Sequence, residues 1–73
     1  MSKTKNYIYI TRATNNPAKW RLRFAGKGFF ALSQYNEEDD VFVYTSDSQA
    51  IEAAVSFSEN TPTGAILVME DSG

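Results

Sequence analysis

One stretch, from Val41 to Met69, most limits what this chain can fold into. It holds an apolar run Val41-Phe42-Val43-Tyr44, a capped amphipathic helix pattern from Asp47 to Glu59, and a second apolar run from Ala65 to Met69. Ser46 has the chemistry of an N-cap, and Gln49 three residues on completes a capping box by reaching back to the amide of the cap itself. Asp47 and Glu52 fall in the first two turns, where the exposed amides and the macrodipole favour negative charge. Ile51, Ala54, Val55 and Ser58 repeat at helical spacing, and Ala50, Ala53 and Phe57 widen the stripe on one side. The face is broad and made mostly of small side chains, so the helix is expected to lie close on a sheet with Ile51, Val55 and Phe57 as anchors. Asn60 and the run Thr61-Pro62-Thr63-Gly64 end it, because proline cannot continue the hydrogen-bond ladder and glycine permits a reversal.

The remaining residues must cover this unit or be covered by it. Asn6 to Arg12 alternates, with Ile8 and Ile10 on one face and Tyr7, Tyr9 and Thr11 on the other, the period of a half-buried strand. Ala13-Thr14-Asn15-Asn16-Pro17 is a connecting turn, since asparagine and proline favour reversal. A second strand follows, with Trp20, Leu22 and Phe24 facing one way and Lys19, Arg21 and Arg23 the other. Gly26-Lys27-Gly28 predicts a tight turn, making Phe29 to Ser33 a third strand and the second and third an antiparallel hairpin. Tyr35 and the run Asn36-Glu37-Glu38-Asp39-Asp40 form an exposed connection, and Glu70-Asp71-Ser72-Gly73 reads as a frayed tail.

The expected fold class is α+β, in β-β-β-β-α-β order: a small, mostly antiparallel sheet of four or five strands, three of them in a meander, with one helix packed on one face. One helix covers only one face. Ile8, Ile10, Trp20, Leu22 and Phe24 then serve the covered side, and Tyr7, Tyr9, Lys19, Arg21 and Arg23 lie on an open one. At 73 residues the chain is one expected domain, near the lower limit for a core without staples, burying about 60% of its unfolded surface.

Charge divides the chain in two. All seven basic residues precede position 28, and all nine acidic residues follow position 36. Folding either lets the two halves neutralise each other across the sheet or keeps a basic patch apart from an acidic one that steers a charged partner. Cysteine and histidine are absent, which removes disulfides, thiolate metal sites, the usual zinc constellations and the commonest general acid–base and thiol catalysts. The carboxylates Glu37, Glu38, Asp39 and Asp40 lack the spaced ligands and glycine of an EF-hand loop, and Gly26-Lys27-Gly28 lacks the remaining spacing of a P-loop. No enzymatic activity, cofactor or metal is therefore expected. No apolar run approaches the roughly 20 residues that span a bilayer, so the expectation is a soluble, cytoplasmic protein without membrane contact.

Two resemblances bear on function. Lys27-Gly28-Phe29, followed by Asp40-Val41-Phe42-Val43-Tyr44 and preceded by Trp20, resembles the two RNA-binding motifs of cold-shock domains. Phe30 stands where that family has glycine, Ala31 where it has a second phenylalanine, and Tyr44 where it has histidine. The resemblance implies stacking roles for Trp20, Phe29, Phe42 and Tyr44. The layout from Val43 through Thr45-Ser46-Asp47, Ala50 and Ala54 to Pro62-Thr63-Gly64 and Glu70 is similar to small phage-encoded inhibitors of host machines, among them transcription inhibitors and anti-CRISPR proteins. It implies a rigid wedge that binds a large host complex through a charged face and blocks it.

The expected function is thus a non-enzymatic protein-interaction module that inhibits or modulates a host protein complex. Tyr7 and Tyr9 act as amphipathic anchors, Lys19, Arg21 and Arg23 as cationic contacts, and Glu37 to Asp40 as an acidic contact loop suited to a basic channel. The alternative is a single-stranded nucleic-acid binder that uses the same cations and tyrosines. Self-association, basic half to acidic half, is a third.

Overall fold

The computed structural model describes residues 5–13, 16–37 and 41–70. Strand β1 spans Tyr7–Arg12 and β2 spans Trp20–Ala25. A 3-10 turn over Lys27–Phe29 runs into the one-turn helix α1, Phe30–Ser33. Strand β3 is only Val43–Tyr44, helix α2 spans Asp47–Glu59, and β4 spans Ile66–Met69. The class is α+β, and the four strands form one sheet in the order β3-β2-β1-β4.

The pairings follow from the connections. β1 and β2 are antiparallel, with Ile8 opposite Phe24 and Ile10 opposite Leu22, and β2 and β3 are antiparallel, with Arg21 opposite Val43. β3 therefore points the same way as β1. Helix α2, 13 residues and about 20 Å long, carries the chain back along the sheet, so the strand that follows must run in the direction of β3. β4 accordingly lies parallel to β1, with Tyr7 beside Ile66 and Tyr9 beside Val68. The sheet is mixed, a split β-α-β with two strands between its parallel arms.

Three expectations are corrected. Phe29 to Ser33 is helical, not a third strand, so there is no hairpin at Gly26-Lys27-Gly28, no three-strand meander and no fifth strand among the described residues. Gly26 turns at φ 111° and sends the chain over the sheet; Phe29 is 1% exposed and Leu32 packs against the core, three residues apart, while Phe30 between them is 82% exposed. A spacing of three is helical. The helix stripe is also rotated from the expected one: Ala50 and Ala54 are fully buried, Ile51 and Phe57 flank them, and Val55 is exposed. Two alanines at the contact bring the helix axis close to the sheet, and the larger Val55 is turned out. Ser46 does accept from the amide of Gln49 at 3.2 Å, but the Gln49 side chain accepts from the amide and hydroxyl of Thr45, at 3.3 and 2.7 Å, one residue ahead of the expected capping-box partner.

The core is aromatic. Phe24 packs against Phe29, Phe42 and Phe57 with ring centroids 5.1 to 5.2 Å apart, and Phe42 also meets Phe57 at 5.5 Å and Tyr35 at 6.2 Å. These tilted and edge-on contacts suit the ring quadrupoles. Ile8, Ile10, Trp20 and Leu22 complete the covered side. The Arg12 guanidinium lies 4.4 Å from the Trp20 ring centroid and donates to the Pro17 carbonyl at 3.0 Å, closing the end of the β1–β2 hairpin.

Two asparagines hold the periphery. Asn6, buried, donates to the Thr63 hydroxyl at 2.6 Å and the Gly64 carbonyl at 3.1 Å, and accepts from the Gly28 amide at 2.9 Å. It ties the lead of β1 to two separate loops. A Cβ on Gly26 would meet the Lys5 carbonyl at 2.6 Å as well as the Asn6 side chain, and one on Gly28 would meet Asn6 Nδ2 at 2.7 Å. The glycines serve this close approach. Asn36, set by its sequence neighbours in an exposed loop, instead accepts from the Phe24 amide at 3.0 Å and donates to the Phe24 carbonyl at 2.9 Å. Its amide group continues, beyond the short β3, the rung a neighbouring strand would supply.

Candidate interaction face

Both helices lie on the Phe24 side of the sheet. Alternation along β1 and β2, fixed by the register Tyr7 to Ala25, Tyr9 to Arg23 and Thr11 to Arg21, places the other set of side chains on the opposite face. The register of β3 and β4 adds Val43, Ile66 and Val68 to that face. No helix among the described residues covers it.

Four of the five residues expected on the open face are brought together. Tyr7 and Tyr9 are half-buried neighbours with near-parallel rings, 6.0 Å between centroids and 19° between planes. Arg23 is exposed beside Tyr9, and Tyr9, Arg23, Ala25, Asn36 and Glu70 border a shallow depression of about 290 Å³. Arg21 lies on the same face but is only 7% exposed and is not a free cation. Lys19 is exposed just before β2, where its carbonyl accepts from the Ala13 amide at 2.9 Å, so it belongs to the end of the hairpin rather than to the centre of the face. Of the acidic loop, Glu37 is exposed, and Glu38, Asp39 and Asp40 lie outside the described residues.

Glu70 is a residue that sequence reasoning missed. Its amide donates to the Ile10 carbonyl at 2.9 Å, which extends the ladder past β4 and keeps Glu70 in step with Ile66 and Val68 on the open face. The same period of two, carried one step further along the sequence, would have found it. It sets a carboxylate in the depression that Arg23 borders.

The aromatics singled out by the cold-shock resemblance lie elsewhere. Phe29 and Trp20 are buried, and Phe42 sits in the aromatic cluster on the helix side. Tyr44 is half-buried in β3, and burial pushes its hydroxyl above the ordinary value of 10.0. Gly26-Lys27-Gly28 leads into a helix of a single turn, too short to gather the field that phosphate loops use. Among the described residues no helix is long and apolar enough to cross a membrane. Comparison with known protein families, with curated proteins and with solved structures finds no match.

Proposed function

We propose that the chain is a non-enzymatic interaction module that occupies a larger protein complex with the open face of its sheet and thereby inhibits or modulates it. The inhibitory mode rests on the resemblance in sequence layout, from Val43 to Glu70, to phage-encoded inhibitors of host machines. The observation that carries the interaction surface is the division of the sheet: the helices fill one side, while Tyr7, Tyr9 and Arg23 stand together on the other. Paired tyrosines offer apolar area with polar tips at small entropic cost, and an exposed arginine offers a planar fork for a carboxylate.

A protein partner fits this face better than a nucleic-acid strand. Arg21 is buried, and Glu70 borders the same depression as Arg23. Among the described residues a polyanion would meet the exposed Arg23 and, beside it, the Glu70 carboxylate, in a chain of net charge −2.

The test is affinity capture from a host extract with the intact chain and with a Tyr9→Ala, Arg23→Glu double variant, alongside titration of a labelled single-stranded oligonucleotide at two salt concentrations. The expected result is a protein complex retained by the intact chain and lost by the variant, with no saturable oligonucleotide binding. Capture that survives the double substitution would overturn the assignment of the face. Salt-sensitive oligonucleotide binding that the double substitution abolishes would replace the protein partner with a nucleic acid.

A further inference from the structure

The two edges of the sheet are built differently. On one side β3 is two residues long, and beyond it the Asn36 side chain occupies the Phe24 backbone groups. Short strands and covering groups are the ordinary means of blunting an edge. On the other side β4 is Ile66-Leu67-Val68-Met69, without a charge, a proline or a glycine. Among the described residues nothing is hydrogen-bonded over that edge, and the first charge along it, Glu70, comes only after the strand has ended.

Its backbone geometry specifies what can cover it. The Ile66 amide donates inward to the Asn6 carbonyl at 2.8 Å, and the Glu70 amide to the Ile10 carbonyl at 2.9 Å. In a parallel ladder alternate residues turn outward, so Leu67 and Met69 present their N–H and C=O groups away from β1. Ile66 and Met69 are 46% and 47% exposed, and they lie on opposite faces of the sheet. A partner docked on either face would cover one of them. A strand laid along the edge covers both.

We propose that this strand is β4 of a second copy, paired antiparallel about a two-fold axis through Val68. Leu67 of each copy then stands opposite Met69 of the other, and the outward groups of those two residues exchange four hydrogen bonds. The segment is self-complementary in this register. Charge agrees with it, since antiparallel pairing separates the two Glu70 carboxylates and sets each beside the other copy's Ile66, one strand from the end of β1 that Lys5 leads into.

The pairing bears on the interaction face. A two-fold axis normal to the sheet keeps both open faces on one side. The dimer is a continuous eight-stranded sheet, roughly 35 Å across, that presents the Tyr7, Tyr9 and Arg23 group twice. Such a face favours a bivalent or two-fold partner.

Sedimentation of the full chain over a wide concentration range tests the pairing, with Met69→Pro and Met69→Lys as variants. Proline at position 69 removes only an outward amide, and lysine puts a charge on an exposed site, so both leave the β1–β4 ladder in place. The intact chain is expected to reach twice its 8.2 kDa monomer mass. Met69→Pro, which deletes two of the four hydrogen bonds, should weaken association roughly a hundredfold while helical circular dichroism stays unchanged. Concentration-dependent protection of the Leu67 and Met69 amides from hydrogen exchange would support the same pairing. A monomer at millimolar concentration would overturn it, as would a dimer that Met69→Pro leaves intact. Protection of those amides only on adding a different protein would assign the edge to that protein instead.

Discussion

Asn6 shows how much of this fold rests on single polar side chains. Its three hydrogen bonds satisfy a buried amide and tie the lead of β1 to the Gly26 corner and to the turn before β4. Removing one partner leaves the other desolvated and unpaired, the costly case. Asn6→Ala should therefore lower stability in urea unfolding by about 3 kcal/mol, and Gly26→Ala, which forces a Cβ onto Asn6 at φ 111°, by about 2 kcal/mol or more. A Gly26→Ala protein as stable as the parent would show that the corner relaxes. Neither residue stands out in the sequence: Asn6 looks like a strand lead, and Gly26-Lys27-Gly28 looks like a hairpin turn. The glycines are legible as a reversal, but their partner Asn6 is far off in sequence, 22 positions from Gly28, and no local pattern encodes that distance.

Tyr44 makes a pH-dependent contribution. Burial raises its ionisation above the ordinary 10.0, so the neutral phenol is favoured in the folded state. Its contribution is complete below about pH 10, where both folded and unfolded chains are protonated. It is lost as pH rises from there through the folded value, because the unfolded chain ionises first. Unfolding measured from pH 8 upward should show a decline that Tyr44→Phe reduces. An identical decline in Tyr44→Phe would place its cause elsewhere.

At the level of elements, what is written locally was legible and what is written across the chain was not. Helix α2 carries its own cap at Ser46, its own apolar stripe and its own stop, and its range was readable residue by residue. Strands β1 and β2 announce their faces by strict alternation of Ile8 and Ile10, and of Leu22 and Phe24, with polar neighbours. Phe29 to Ser33 is five residues without a polar alternation, short enough to serve as strand or as turn of helix. Packing of Phe29 and Leu32 decides for helix. Val55 fits the stripe as well as Ala54 does, yet the close seat of Ala50 and Ala54 leaves it outside.

The missing length of β3 is made good by Asn36, a substitution of side chain for backbone that only the amide's peptide-like chemistry hints at. Asn36→Ala should cost about 1 to 3 kcal/mol in unfolding, by leaving both Phe24 backbone groups without that partner. Asn36→Asp should do no better, since a carboxylate accepts from the amide but repels the carbonyl. Stability equal to the parent in both variants would mean that another group closes the rung.

For the whole molecule, the question is which of two faces meets a partner. The helix face spends its apolar residues on the core, and the open face keeps Tyr7, Tyr9 and Arg23 within reach of one another. That division was legible from the period of two. The burial of Arg21 was not, because it depends on the neighbours folding brings to it, and neither was the placing of Glu70 at the depression that Arg23 borders. The bipolar charge of the sequence does not map simply onto two patches: an acidic residue from the end of the chain shares a depression with a basic residue from its first half. Recognition through this face would be directional, by a fork, a carboxylate and two rings in fixed order, rather than by bulk charge.

The most direct test is site-specific photocrosslinking in a host extract, with a photoreactive phenylalanine placed at Tyr7 in one protein and at Val55, on the outer side of α2, in another. A discrete protein crosslink from position 7 that is absent from position 55 is the predicted result. Crosslinks to one protein from position 55 alone would contradict it, because the partner would then be seated on the helix and the open face would not be the interaction surface.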